Sequence, residues 1–457
     1  MLCGFAAISL VMAQAPLMFG DTADARVLAL CPFVVVILAT STAVRPNVYR
    51  PDPKFVFALW AYLAVTTITI IRGVGVVGGD FKSARSGYVA ALSIALVAWF
   101  AFRLLASSQT SDERRSRLAA IALAPATFVA FNLLALHVRI PFISIPAHTD
   151  VAEGTHAVLL DALGFPTVRT SLPFTAGANA SGAISAAGFA AAVLLALRPE
   201  GVKRLVTIPA AGACLYATLL SDSRTALAIA VGVVVLFVVA PRARRFSCII
   251  GIALLAPVYL LGILRLASSL GIGVASRSSS DLSSGDHRNV IWEGAWMTIR
   301  HGDLWHGIFG YGAYGQVTSG SIFQYLHLFY SATPIYPTSH NLALQTILDS
   351  GVIGVLVLVG LAVAAFSALS RVAVAAPSPE RQALTAILIV VILNGATEAL
   401  PSYIFPETLD LALLVAAAGI ALEAGVARRA LLSRPANIGA SADRTQSRRV
   451  AHEAPGG

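Results

Sequence analysis

Apolar runs of roughly 17–25 residues recur along the whole chain, each long enough as a helix to cross about 30 Å of hydrocarbon. Short polar connectors separate them. The runs at 2–19, 26–44, 54–72, 85–106, 117–137, 180–197, 203–221, 223–240, 246–268, 341–369, 382–400 and 408–426 predict about twelve transmembrane helices. The first has no basic leading region and no clear small-residue cleavage site, so it reads as a retained helix rather than a signal peptide. The fold class expected is all-α: a polytopic membrane protein.

Alternate connectors are basic. Arg45, Arg50 and Lys54 open the series; Arg114, Arg115 and Arg117, then Arg198, Lys203 and Arg204, then Arg242, Arg244 and Arg245, then Arg371 and Arg381 continue it, and Arg428, Arg429 and Arg434 follow in the tail. With about twelve spans all fall on one side, which the positive-inside rule makes cytoplasmic, and both termini lie there. Two long connectors, 138–179 and 269–340, then fall outside. This divides the chain into helices one to nine (1–268), an external loop subdomain (269–340), helices ten to twelve (341–426) and a basic, disordered cytoplasmic tail (427–457).

Within the large loop, "HRNVIWEGAWMTIRHG" (His287 to Gly302) has the spacing of an amphipathic helix. Trp292, Trp296 and Trp305 read as anchors at the membrane interface. "GIFGYGAYG" (Gly307 to Gly315) reads as a turn.

Composition supports the membrane reading and removes others. Hydrophobic residues make up 57% and charged residues 12%, with mean hydropathy +0.78, whereas a soluble domain carries about twice that charge. The net charge of +9 sits mostly in connectors and tail, so it does not imply a nucleic-acid partner. Cys3, Cys31, Cys214 and Cys248 lie in or beside apolar runs without metal-ligand spacing and read as small buried hydrophobes. No D-x-D pair and no Walker A pattern occurs, so no metal site or cofactor is expected. The energy for any transfer must come from an already activated donor.

Candidate chemistry gathers on the outer side. Arg224 follows a short turn at Ser221–Ser223, Arg288 sits in the large loop, His340 closes that loop, and Arg169 lies in the first external connector. A guanidinium grips phosphate oxygens with a fixed fork and stays charged. An imidazole can take a proton from an attacking hydroxyl. Together they suit glycosyl transfer from a sugar diphosphate. Asn341, Gln345 and Asp349, spaced i, i+4, i+8, form a polar stripe expected to line a wet cavity, with Thr338 or Ser339 capping the helix. Glu398 and Glu407 read as facing water.

Four stretches resemble the O-antigen ligase and O-antigen polymerase superfamily of bacterial envelope glycosyltransferases. They are "RTSLPFTAGANASG" (Arg169 to Gly182), "SDSRTALAIAV" (Ser221 to Val231), "RNVIWEGAWMTIRHGDLWHGIFGYGAYG" (Arg288 to Gly315) and "SHNLALQTILDSGVIG" (Ser339 to Gly354). Ala178 and Asp349 depart from the family's frequent Pro and Glu. The resemblance implies a GT-C-like, metal-independent glycosyltransferase of the bacterial inner membrane, acting on a glycan carried by undecaprenyl diphosphate at the external, periplasmic face. It implies catalytic roles for His340, Arg288 and Arg224, and substrate contacts from Arg169, Asn179, Ser223, Asn341 and Gln345. The acceptor is a lipid or another glycan. Ligase-like transfer is favoured narrowly over polymerisation. A lipid-linked sugar transporter or flippase is the rival from another class; internal repeats or helices broken at mid-membrane would mark it.

The topology is checked by cysteine labelling: single cysteines at 287 and 340 are expected to react with an impermeant reagent from outside. Labelling of either only after permeabilisation contradicts the assignment.

Overall fold

The computed structural model describes residues 53–74, 111–138, 157–175, 177–197, 204–239, 288–325, 338–375 and 378–402, together with 404, 408–409 and 411–419. The predicted helices at 2–19, 26–44, 85–106 and 246–268, the tail from 427, His287 and Glu407 lie outside the described residues, as do Cys3, Cys31 and Cys248.

Every described element is helical. In chain order they are α1 (Pro53–Val74), α2 (Ser111–Ala122), α3 (Ala124–Val138), α4 (Val158–Ala162), α5 (Ala178–Ala196), α6 (Arg204–Leu220) and α7 (Arg224–Val239). Then come α8 (Arg288–His301), α9 (Leu304–Phe309), α10 (Gly315–Thr318), a 3₁₀ turn (Ser321–Gln324), α11 (Leu342–Ala375) and α12 (Pro379–Asn394). Among the described residues, two helices are long and apolar enough to cross a membrane: α5, and α11 over Leu342–Leu369. A third is added if α2 and α3, bent by 43°, form one span. Phe57–Gly73 within α1, and α6 and α7, are apolar but shorter. The run expected as one helix at 117–137 is therefore a bent pair, starting earlier, at Ser111.

The bundle is organised around α5, which packs against α3, α6, α7 and α12. Its sequence, ANASGAISAAGFAAAVLLA, is nearly all small residues. In lipid, helices gain little from hydrophobic transfer, and small residues let backbones approach so that dispersion and hydrogen bonds can act. Gly182 shows the closeness required: a Cβ there would stand 2.1 Å from Ser223 Cβ. Near the middle of the helix, a Cβ on Gly188 would stand 2.8 Å from Cys214 Sγ. Cys214 is fully buried, as its setting in an apolar run predicts.

Two helices depart from simple spans. The run at 382–400 stays helical only to Asn394. The chain turns at Gly395, and Pro401 disfavours helix in the residue before it. Ala396–Ser402 thus becomes a buried turn that carries Glu398.

The second departure is α11, which is broken at Gly351 (φ 66°, ψ −165°) into halves of residues 342–350 and 352–375. A break frees carbonyls that lipid cannot satisfy. Here the glycine-rich turn fills the gap: Tyr311 N donates to Leu348 O (2.7 Å) and Gly312 N to Asp349 O (3.0 Å). Of "GIFGYGAYG", expected as a turn, Gly307–Phe309 end α9, Gly315 begins α10, and only Gly310–Tyr314 turns; a Cβ on Gly310 would stand 2.4 Å from Asp349 C. The break lies close to the start of α11 and is occupied by protein, unlike an open substrate path.

Gly351→Ala forces a left-handed backbone on a residue with a Cβ, which would also stand 2.2 Å from Ile308 O. A loss of about 2 kcal/mol or more is expected, read as a lowered thermal midpoint of the purified protein. Gly232→Ala, which meets nothing within 4 Å, serves as control and should be neutral or stabilising.

Candidate active site

The candidate residues lie toward the end of the bundle where α5, α7 and α11 begin and α6 and α12 end. Leu342 N donates to Gly395 O (2.8 Å), joining the start of α11 to the end of α12. At this junction one carboxylate takes two partners. Glu398 Oε1 accepts from Arg288 Nη2, and Glu398 Oε2 is 2.9 Å from His340 Nδ1. Glu398 is 5% exposed, so the expectation that it faces water is overturned. Burial pushes its pKa up, but the charge of Arg288, the charge and hydrogen bond of His340 and the charge of Arg169 outweigh this and hold it below the ordinary carboxylate value. Glu398 lies in the turn beyond α12, outside the helical segment.

The ionised carboxylate can only accept, so it selects the tautomer of His340 with the proton on Nδ1. Nε2 then has its lone pair free. His340 itself sits at φ 47°, a region that costs a non-glycine residue energy. Asp222 has nearly the same value, φ 48°. Each stands two residues before a helix, α11 and α7 respectively.

The α8 helix delivers Arg288 and fixes His340 with the same face. Arg288 and Trp292 are i, i+4 neighbours. Trp292 is buried, and its indole Nε1 donates to Ser339 O (2.9 Å), next to His340. Trp292 is therefore not an interface anchor; it clamps the turn that carries the histidine. Trp296 and Trp305 are exposed and remain compatible with an interface position.

The polar stripe is also different from its expected role. Asn341, Gln345 and Asp349 are buried, and their polar atoms bond to protein. Asn341 Oδ1 accepts from Leu344 N (3.0 Å), so Asn341 caps α11 rather than Thr338 or Ser339; its Nδ2 donates to Ala396 O (3.0 Å). Gln345 Oε1 accepts from Ser339 N (2.9 Å) and its Nε2 donates to Gln316 Oε1 (2.7 Å). Asp349 Oδ1 accepts from Gly315 N (2.6 Å) and Gln345 Nε2 (2.9 Å). The stripe fastens the first half of α11 to the 288–325 segment. Gln345 and Asp349 do border a small cleft of about 30 Å³, shared with Tyr62, Thr66 and Ser402.

The second arginine group is built at the start of α5. Arg169 Nη2 donates to Asn179 Oδ1 (2.7 Å) and its Nε to Ser221 O (2.9 Å). Its segment is tied down by Leu172 N to Ser181 Oγ (2.9 Å) and Phe174 N to Asn132 Oδ1 (2.8 Å). Arg224 Nη2 is 3.3 Å from Asp222 Oδ2, and Ser223 packs on Gly182. The structure thus joins Arg288 and His340 through Glu398, brings Arg169 within electrostatic reach of the same carboxylate, and places Arg224 three residues from Arg169's partner Ser221. Among the described residues no group of three His, Cys, Asp or Glu side chains could hold a metal ion.

Glu398 was missed in the sequence because its partners are distant. The available signal was a carboxylate at the end of an apolar run, which needs a cationic partner when buried.

Residues 209–359 match the family model described as O-antigen ligase. This stretch is O-antigen ligase-like; it contains Arg224, Arg288 and His340, while Arg169, Asn179 and Glu398 lie outside it. No curated protein matches the chain.

Proposed function

We propose that this protein is a membrane glycosyltransferase that moves a glycan from a polyprenyl diphosphate, undecaprenyl diphosphate in a bacterial inner membrane, to an acceptor hydroxyl at the external face, in the manner of an O-antigen ligase. The observation that carries the reading is the shared carboxylate: a cation fit for phosphate and an imidazole fit for a hydroxyl are held on Glu398, at one helix-bundle end. The ligase-like stretch supports it.

In this reading the acceptor oxygen attacks the anomeric carbon, the bond from that carbon to the diphosphate oxygen breaks, and the diphosphate leaves on its lipid. The hydroxyl proton passes to His340 Nε2, free because Nδ1 faces Glu398. Arg288 keeps further N–H donors for phosphate oxygens after meeting Glu398. Arg224 and Arg169 add positive charge where the leaving diphosphate gains negative charge. In this reading Asn179 and Ser223 shape the walls that receive the substrate, while Asn341 and Gln345, buried and bonded to protein, hold the start of α11 behind them. No step requires a metal.

The test is transfer by the purified protein from a lipid diphosphate-linked saccharide. His340→Ala and Arg288→Ala should each lower the rate on the order of 10²-fold or more while the protein stays folded. Arg224→Lys, which loses the fork, should also fall sharply, and EDTA should change nothing. A His340→Ala variant as fast as wild type rules out the base role. In cells lacking the protein, polymer held on lipid diphosphate indicates a ligase, and single repeats indicate a polymerase. An unchanged envelope glycan contradicts both.

A further inference from the structure

Arg288 and His340 belong to separate pieces of chain, so their relative placement must be set by whatever holds the 288–325 segment against the first half of α11. Three contacts run along that half-helix: Trp292 with Ser339, Gln316 with Gln345, and the glycine-rich turn with Asp349. The third depends on the turn staying in the break at Gly351.

Arg72, in the last turn of α1, grips that turn. Its Nη1 donates to Phe309 O (2.6 Å) and its Nη2 to Gly310 O (2.8 Å). These are carbonyls at the end of α9, where a positive charge is favourable. Only a guanidinium fork meets both with fixed geometry. The neighbouring contacts act in the same sense: Ala313 N donates to Thr69 O (2.8 Å), and the hydroxyls of Thr69 and Ser350 are 2.7 Å apart. A Cβ on Gly73 would stand 2.5 Å from Ala313 N, so α1 meets the turn backbone to backbone. Arg72 also lies at the end of its apolar run opposite the basic connectors at 45–54, so membrane orientation does not account for it. It is outside the ligase-like stretch.

We propose that Arg72 is a positioning residue for glycan transfer: by pinning the Phe309–Gly310 turn into the break of α11, it fixes the half-helix that follows His340 against the helix bearing Arg288. This rests on the transfer reading above. Arg72 touches neither reacting group; it acts through Asp349, Gln345 and the turn at Ser339. A misplacement of about 1 Å between a base and the bond it serves can cost on the order of 10²-fold in rate. The diphosphate would still find its arginines.

The experiment measures kcat and KM for the lipid-linked donor in wild type, Arg72→Lys and Arg72→Ala. Arg72→Ala is expected to lose on the order of 10²-fold in kcat with donor KM within about twofold, and Arg72→Lys to fall between. A Thr69→Cys/Ser350→Cys pair, added to Arg72→Ala, supplies a different tie between α1 and the break. Its oxidised form should recover most of kcat, and reduction should remove the gain. This pair also serves if Arg72→Ala folds poorly. Wild-type kinetics in Arg72→Ala, or a change mainly in donor KM, overturns the positioning role, as does an oxidised pair that recovers nothing. If wild type itself transfers nothing, the glycosyltransferase reading fails first and this role falls with it; if wild type transfers and Arg72→Ala matches it, only the positioning role fails.

Discussion

One buried carboxylate holds the functional end of this protein together. Glu398 sits in low dielectric, where an unpaired charge is expensive, and one cation, Arg288, and one hydrogen-bond partner, His340, from distant parts of the chain offset that cost. Removing one partner of such a pair typically costs about 3–5 kcal/mol, because the other is left buried without it. The same bond that stabilises the turn after α12 also aims Arg288 and sets the tautomer of His340. In the glycan-transfer reading, stability and chemistry therefore share one carboxylate, and the positive φ at His340 is held by the surrounding bonds.

The rest of the architecture brings those partners to the carboxylate. A helix in an apolar setting can be interrupted only where its freed backbone groups find new partners. The break at Gly351 meets that condition through Tyr311 and Gly312. In return the break lets the 288–325 segment dock along the first half of α11, and Trp292 closes the docking beside His340. The small residues of α5 do the corresponding work for the other arginines, letting the Ser221–Ser223 turn approach until Gly182 and Ser223 touch.

Much of this was legible in the sequence, for stated reasons. Long apolar runs announce helices because lipid demands internal hydrogen bonds. Arg288 and His340, expected on one face from the basic connectors, both meet Glu398. Periodicity was less informative about partners. The i, i+4, i+8 spacing of Asn341, Gln345 and Asp349 fixed a common face, but it could not say whether water or protein covers that face. Trp292 was misread for the same reason: an indole near a membrane can serve as an anchor or as a buried donor, and its spacing from Arg288 was the discriminating clue. Glu398 depends on contacts across 58 and 110 residues, and the end of α12 on a bond to Leu342, none of which a local pattern records.

The most direct test of the shared-carboxylate account is a double-mutant cycle on His340 and Glu398, read as the single-turnover rate of glycan transfer. If Glu398 acts through the imidazole, Glu398→Gln is costly in the wild-type background and nearly silent on top of His340→Ala. Equal costs in both backgrounds would show the two side chains acting independently, and would contradict the account.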